Sequence, residues 1–367
     1  MKKAVSVLLA MVMAGALAGC SSGPKAAGDT SLAAPSTAQG ETSPDPSGEE
    51  TADSSAAPAD SQDGEGAMGA AALRVGSLKG PTSMGLVYLM DQASQGKTDN
   101  QYEFTMVTAA DELLAKVAAG DLDVALLPAN VASVLYNKTQ GDIAVIDINT
   151  LGVLDIVASD SSIQGIADLK GRTLYMTGKG TTPDYVFRYL LSANGMTEDD
   201  LTLEFKSEPA EVAAILKGQP DAVGLLPQPF VTAACAQNEA LKIVLDLTEE
   251  WEKVQDGEKS RLVTGVTVVR KPFLEENPEA VALFLEDHRV SAEFTDSNPA
   301  EAAQLIAGLG IIEKASVAQK ALPYCNITCL TGEDMESALR GYLQVLFDQE
   351  PASVGGALPG DDFYYMP

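Results

Sequence analysis

Histidine is nearly absent: His288 is the one copy in 367 residues. A site that needs two imidazoles, such as a histidine-rich zinc site, is therefore excluded. Basic residues are scarce, 24 Lys and Arg against 52 Asp and Glu, for a formal net charge of -28. Phosphate neutralisation needs clustered Lys and Arg, so no nucleic-acid partner is expected, nor docking on anionic lipid through a basic face. Repulsion at this charge favours a soluble monomer. Of the cysteines Cys20, Cys235, Cys325 and Cys329, the last three have no supporting histidines and make a poor zinc site. They read as buried or half-buried thiols. Cys325 and Cys329 are also near enough in sequence for a local disulfide, should that segment be irregular. The chain contains no Gly-x-x-x-x-Gly-Lys-Ser/Thr phosphate loop, no Gly-x-Ser-x-Gly nucleophile elbow and no EF-hand pattern. No metal, cofactor or catalytic residue is expected.

What is present begins with Lys2 and Lys3, followed by an apolar run, Ala4 to Ala18, too short to span a bilayer comfortably. It ends in Leu17-Ala18-Gly19-Cys20, then Ser21 and Ser22. This resembles the lipobox of bacterial lipoproteins, in which the cysteine is diacylated and becomes the mature N-terminus. Residues 1–19 thus read as a lipoprotein signal peptide and Cys20 as the lipidation site. The expected location is the extracytoplasmic face of the cell membrane, held by the lipid. Residues 20–70 read as an acidic tether of Ser, Ala, Gly, Pro, Thr and Asp/Glu without aromatics, a composition that cannot bury enough surface to order itself.

From Leu73 onward, short apolar runs alternate with amphipathic stretches. The pattern predicts strands over Leu73–Leu78, Tyr102–Val107, Asp123–Leu127, Ile143–Ile148 and Val153–Ala158. Helices are predicted over Ser83–Ala93, Asp111–Ala119 (ended by Gly120) and Ala129–Tyr136. Such alternation implies an α/β fold of parallel sheets with helices on both faces. After Lys271-Pro272-Phe273 the pattern is mostly helical.

An internal repeat says more. Leu73-Arg-Val-Gly-Ser-Leu-Lys-Gly-Pro-Thr-Ser83 is a strand, a glycine turn and a helix start. Arg172-Thr-Leu-Tyr-Met-Thr-Gly-Lys-Gly-Thr-Thr-Pro183 is built the same way. Further on, Gly120-Asp-Leu-Asp123-Val-Ala-Leu-Leu-Pro128 answers Gly218-Gln-Pro-Asp221-Ala-Val-Gly-Leu-Leu-Pro227. Two matched pairs in the same order indicate two similar, doubly wound lobes. The expected division is 71–152 for the first lobe, 153–248 for the second, and 249–367 for a mostly helical return to the first. Crossings near Thr150–Leu154 and Asp246–Val263 would make a two-segment hinge.

Ligands of open α/β sheets bind outside the carboxyl ends of the strands. There the first lobe offers Gly80, Pro81, Thr82, Ser83 and Asn130, and the second Gly180, Thr181, Thr182 and Gln228. Helix-start N–H groups and small hydroxyls suit an oxyanion or a polar carbonyl. The same Thr and Ser residues also serve as caps and turn formers. Lys79 and Lys179 could add positive charge. The loops hold neither an Arg for a carboxylate nor an acid for an amine, so a small anion or a neutral polar heterocycle is expected. His288, between Asp287 and Arg289, reads as a surface residue, and Glu249-Glu250 as solvated charges.

The lipobox, the acidic tether and the repeated loops resemble a solute-binding lipoprotein of an ABC importer. Gly80-Pro81-Thr82-Ser83-Met84-Gly85, Gly265-Val-Thr-Val-Val-Arg-Lys-Pro-Phe273, Pro323-Tyr-Cys-Asn-Ile327, Gly355-Gly-Ala-Leu-Pro359 and Asp362-Phe-Tyr-Tyr365 resemble versions from Gram-positive anaerobes. The closer match is the nitrate/sulfonate/taurine and thiamine-pyrimidine-precursor group, over residues 73–367. The resemblance implies a periplasmic-binding-protein type 2 fold that closes on a small molecule and delivers it to a membrane permease. Two other readings stand beside it. One is a sensory lipoprotein without a transporter. The other is an enzyme on the same fold, resembling a pyrimidine synthase, whose associated histidines and cysteine cluster are missing here.

Overall fold

Leu73–Leu78 forms β1, the first strand of the computed structural model, which describes residues 72–255 and 260–367. The expected signal peptide, Cys20 and the tether lie outside the described residues. The strands that follow are β2 (Tyr102–Val107), β3 (Val124–Pro128), β4 (Ile143–Leu151), β5 (Leu154–Ala158) and β6 (Thr173–Thr177). After them come β7 (Thr202–Lys206), β8 (Val223–Pro227), β9 (Lys242–Asp246), β10 (Val263–Arg270) and β11 (Ile327–Leu330). They build two sheets, ordered β11-β4-β10-β3-β1-β2 and β7-β6-β8-β5-β9.

The repeat reappears as topology. β1 lies parallel between β2 and β3, and β6 lies parallel between β7 and β8. The expected parallel pairing holds for β1–β3 and β6–β8 but not for the crossing strands: β10 runs antiparallel to β3 and β4, and β5 antiparallel to β8 and β9. The crossings are the cause. β4 leads through Gly152 and Val153 into β5, whose first residue, Leu154, pairs with Pro227 at the end of β8. On the way back, Val263 at the start of β10 pairs with Leu151 at the end of β4. A strand that enters a sheet at the carboxyl ends of its neighbours must run against them.

β4 is buried from Ile143 to Thr150. Burial on both faces is why β4 and β10 read as near-continuous apolar runs. The Ala110–Ala119 helix stops at Gly120, where a left-handed φ of 78° turns its N–H back to the Lys116 and Val117 carbonyls. The expected Ser83–Ala93 helix is divided into Pro81–Met84 and Val87–Ser94. The break is at Gly85, where a Cβ would lie 3.0 Å from Ile327 Cγ2 and 3.5 Å from His288 Nε2.

One apolar cluster runs from Val145 and Val266 of the first sheet through Trp251 to Ile156 and Phe187 of the second lobe. Trp251 lies against Tyr189 and Tyr342, ring centroids 4.6 and 5.7 Å away. Among the described residues no helix is long and apolar enough to cross a membrane.

Candidate functional site

The registers fix where the loops after the parallel strands sit. Pro128 at the end of β3 pairs with Gly265, close to the crossing, and β1 ends beside β3, Ser77 opposite Leu126. In the second sheet Pro227 pairs with Leu154, and β6 ends beside β8. The carboxyl ends of both sheets therefore face the hinge, and all four expected loops start there.

Their polar groups are largely engaged within the loops. Thr82 Oγ1 donates to the Leu78 carbonyl at 3.2 Å. Ser83 Oγ, fully buried, bonds Ser77 Oγ at 2.8 Å and the Leu78 carbonyl. Gly80 starts the Pro81–Met84 turn with φ 149°, a conformation that suits glycine. In the second lobe the Gly180 N–H donates to Asp184 Oδ2 at 2.8 Å, and Thr181 Oγ1 to the Gly178 carbonyl at 2.6 Å. The acidic group that a helix start attracts is thus supplied by the protein: Asp184 is 3% exposed and pairs with Arg188. Thr182 and Asn130 meet across the lobes, Oγ1 to Oδ1 at 3.4 Å, beside the buried Tyr342. Lys179 lies over the Phe205 ring, 5.5 Å from its centre.

Gln228 leads to a different feature. Its Nε2 donates to Asp155 Oδ2 at 3.0 Å, and its Oε1 accepts from Thr232 Oγ1 at 2.8 Å. Asp155 and Thr232 line a cavity of about 830 Å³, together with Cys235, Asp246, Glu249 and, from the chain that packs near Met84, Tyr324. None of the nine expected residues lines it. Asp155 is 3% exposed and stands directly opposite Asp246 on the neighbouring strand. Burial, and then the Asp246 charge, push its carboxyl up to about 7. Burial, and then Asp155, also raise the Cys235 thiol, keeping it neutral. Asp246 caps the Leu247–Lys253 helix, its Oδ1 accepting from the Thr248 N–H at 2.7 Å. Lys242 and Lys320 stand at the cavity's exposed rim.

One expectation about charged residues is overturned and another in part, for Glu249 is exposed as expected and Glu250 is not. His288 is not on the surface but fully buried, its Nδ1 3.1 Å from Asp147 Oδ2. Thr267 Oγ1 donates to the other Asp147 oxygen at 2.9 Å, and Cys329 completes a group whose donor atoms lie within 4.8 Å of one another. The signal was available: Val281, Phe284, His288, Ser291 and Thr295 form one buried stripe at helical spacing. Glu250 likewise is 5% exposed, bonded to Lys253 at 2.6 Å, because its helix turns that face inward beside Trp251. Cys235, Cys325 and Cys329 are free thiols.

Residues 90–282, just over half of the chain, match the family of ABC-transporter phosphonate periplasmic substrate-binding proteins. A binding protein of Brucella abortus (strain 2308) is 24% identical over 238 residues, covering 63% of this chain and 70% of its own. Among solved structures, an ABC transporter from Parabacteroides distasonis superposes with a TM-score of 0.67 at 24% identity, over 80% of this chain and 98% of that one. The periplasmic aliphatic sulphonate binding protein of Escherichia coli gives 0.64 at 17% identity, over 81% and 92%. Likeness at these identities establishes a shared fold.

Proposed function

The chain belongs to the phosphonate family of ABC-transporter periplasmic substrate-binding proteins, and from that premise we propose that it captures a small polar solute between its two lobes and hands it to a membrane permease. The observation that carries the reading is the placement of the cavity. It is walled by β5, β9 and the Phe230–Gln237 helix on one side and by Pro323 and Tyr324 on the other. Two chain crossings beside it supply the hinge that lobe closure needs. The solute is held without chemistry, and the protein acts as a monomer tethered through a lipid on Cys20. Of the two solute classes the sequence suggests, the small anion suits the loops poorly. The Gly180 N–H that would take a sulfonate-like anion already serves Asp184.

Two measurements test this. Protein stripped of bound solute by unfolding and refolding should show a larger radius of gyration in small-angle scattering, and re-adding the released solute should reverse it. An invariant radius would refute capture between lobes. Cys20→Ser should move the protein from the membrane fraction to the soluble one, and unchanged retention would refute the lipid tether.

A further inference from the structure

We infer that the solute carries a positive charge: the cavity is built to take an organic cation with a protonated amine or amidinium nitrogen. This rests on the capture reading above and adds the ligand's chemical class.

The inner wall is acidic. Asp155 and Asp246 face each other across neighbouring strands, and the exposed Glu249 follows one helical turn after Asp246. Like charges directly opposed on a sheet repel, and folding gains nothing from the arrangement by itself. Asp155 is 97% buried as a residue, yet no Lys or Arg among the described residues pairs with it, and Gln228 Nε2 is its one side-chain donor. A buried carboxylate with a single neutral donor lacks the counter-charge that such groups normally have. The lysines of the cavity do not supply it. Lys242 pairs with Ala158, three residues along β5 from Asp155, or ~10 Å away. Both Lys242 and Lys320 are exposed, where water screens them. A cation seated between Asp155 and Asp246 would donate to both, and Tyr324 adds to the lining of the same cavity an aromatic ring of the kind that favours cations. A sulfonate or phosphonate in the same place would meet two carboxylates.

The test uses the full chain at pH 8 and low salt, with agmatine, putrescine and phenethylamine as cationic probes and ethanesulfonate and methylphosphonate as anionic ones. At least one amine should raise the melting temperature in a concentration-dependent way, and neither anion should. Asp155→Asn, which keeps the Gln228 bond and removes the charge, should weaken that amine about ten- to hundredfold in calorimetry. Glu275→Gln, a charge change away from the cavity, should leave its affinity unaltered and so exclude general charge attraction. Three outcomes overturn the inference: an anion that stabilises where no amine does, no stabilisation by any amine, or unchanged amine affinity in Asp155→Asn. The first leaves capture between lobes standing, since an anion would then be the solute. Loss of the capture reading is registered separately, by a radius of gyration that no solute changes.

Discussion

Asp155→Asn should make the empty protein more stable, and by an amount that depends on pH. Asp155 is buried opposite Asp246, and its carboxyl is pushed up to about 7 from 3.8 by burial first and Asp246 second. An acid with a raised folded value binds its proton more tightly folded than unfolded. Its favourable contribution is complete below 3.8 and is lost as pH rises through about 7. At ~1.36 kcal/mol per unit, the whole span amounts to on the order of 4 kcal/mol. At 3% exposure, little of this is screened by water. Asparagine is neutral throughout and can accept the Gln228 bond with its carbonyl. The stability difference, variant minus wild type, should therefore widen by on the order of 2–3 kcal/mol between pH 5 and pH 8, most of it below pH 7. Urea unfolding of both proteins at pH 5, 6, 7 and 8 reads this directly. Comparing the pair at each pH cancels the titrating groups that do not interact with Asp155, leaving Asp155 and its coupling to neighbours such as Asp246 and Cys235. Parallel stability curves across that range would refute the reasoning and show that water or a neighbour already solvates Asp155.

Other substitutions probe the frame around the site. Trp251, the single tryptophan, is fully buried between Tyr189 of the Thr182–Ala193 helix and Tyr342 of the Gly332–Gln349 helix. Its emission should shift to the red when the lobes open and return when solute closes them; constant emission while the radius of gyration changes would place the moving surface elsewhere. Asp123 is bound by Arg74 at 2.6 Å and Arg270 at 3.0 Å, and although burial works to raise its carboxyl, those bonds hold it below the usual range. Asp123→Ala should cost ~3 kcal/mol at pH 7 in urea unfolding, because two guanidinium groups lose their acceptor; the Asp123 contribution is present above 3.8 and fades as pH falls, and a cost under ~0.5 kcal/mol would mean the cluster is solvated. At Gly265 an added Cβ would sit 2.5 Å from Asn149 Oδ1 and 2.6 Å from Thr82 Cγ2, whereas Gly308 faces open space. Gly265→Ala should destabilise by ~1–3 kcal/mol and Gly308→Ala should stabilise by up to ~1 kcal/mol, and equal melting temperatures would contradict the close packing of β10 on the β1 loop.

Much of the fold was legible because the central strands β3, β4 and β10 are largely buried and read as apolar runs. β1 and β2 match the apolar runs residue for residue, and the Gly-x-x-Asp repeat located β3 and β8. What escaped the sequence depends on contacts between distant segments. The break at Gly85 follows from the approach of Ile327 and His288, more than two hundred positions away. β11 has only partly buried residues, so no apolar run announces it. Strand direction escaped for another reason. The alternation of strands and helices is compatible with either direction for a strand that carries the chain between lobes, and only the registers Leu154–Pro227 and Val263–Leu151 decide it.

The site divides along the same line. Hydroxyls and glycines at helix starts are a local signal, and the repeat directed attention to the ends of the strands that meet at the hinge. Local signals cannot say whether a donor is free, and Thr82, Ser83, Thr181 and the Gly180 N–H all find partners within six residues. The residues that give the cavity its character are 91 positions apart, Asp155 and Asp246, and become neighbours only when β5 and β9 pair. Each left a trace, an acid interrupting or ending a run of Leu, Ile and Val: Leu154-Asp-Ile-Val-Ala158 and Ile243-Val-Leu-Asp246. An acid inside a strand that is otherwise wholly buried calls for a partner, because an unpaired buried charge is among the costliest features a fold can carry. No Lys or Arg among the described residues pairs with Asp155, and Lys242 and Lys320 stand at the cavity's exposed rim. The chain keeps a destabilising carboxylate beside a cavity, and a partner delivered from outside is the simplest account of why stability is given up at that position rather than at the surface.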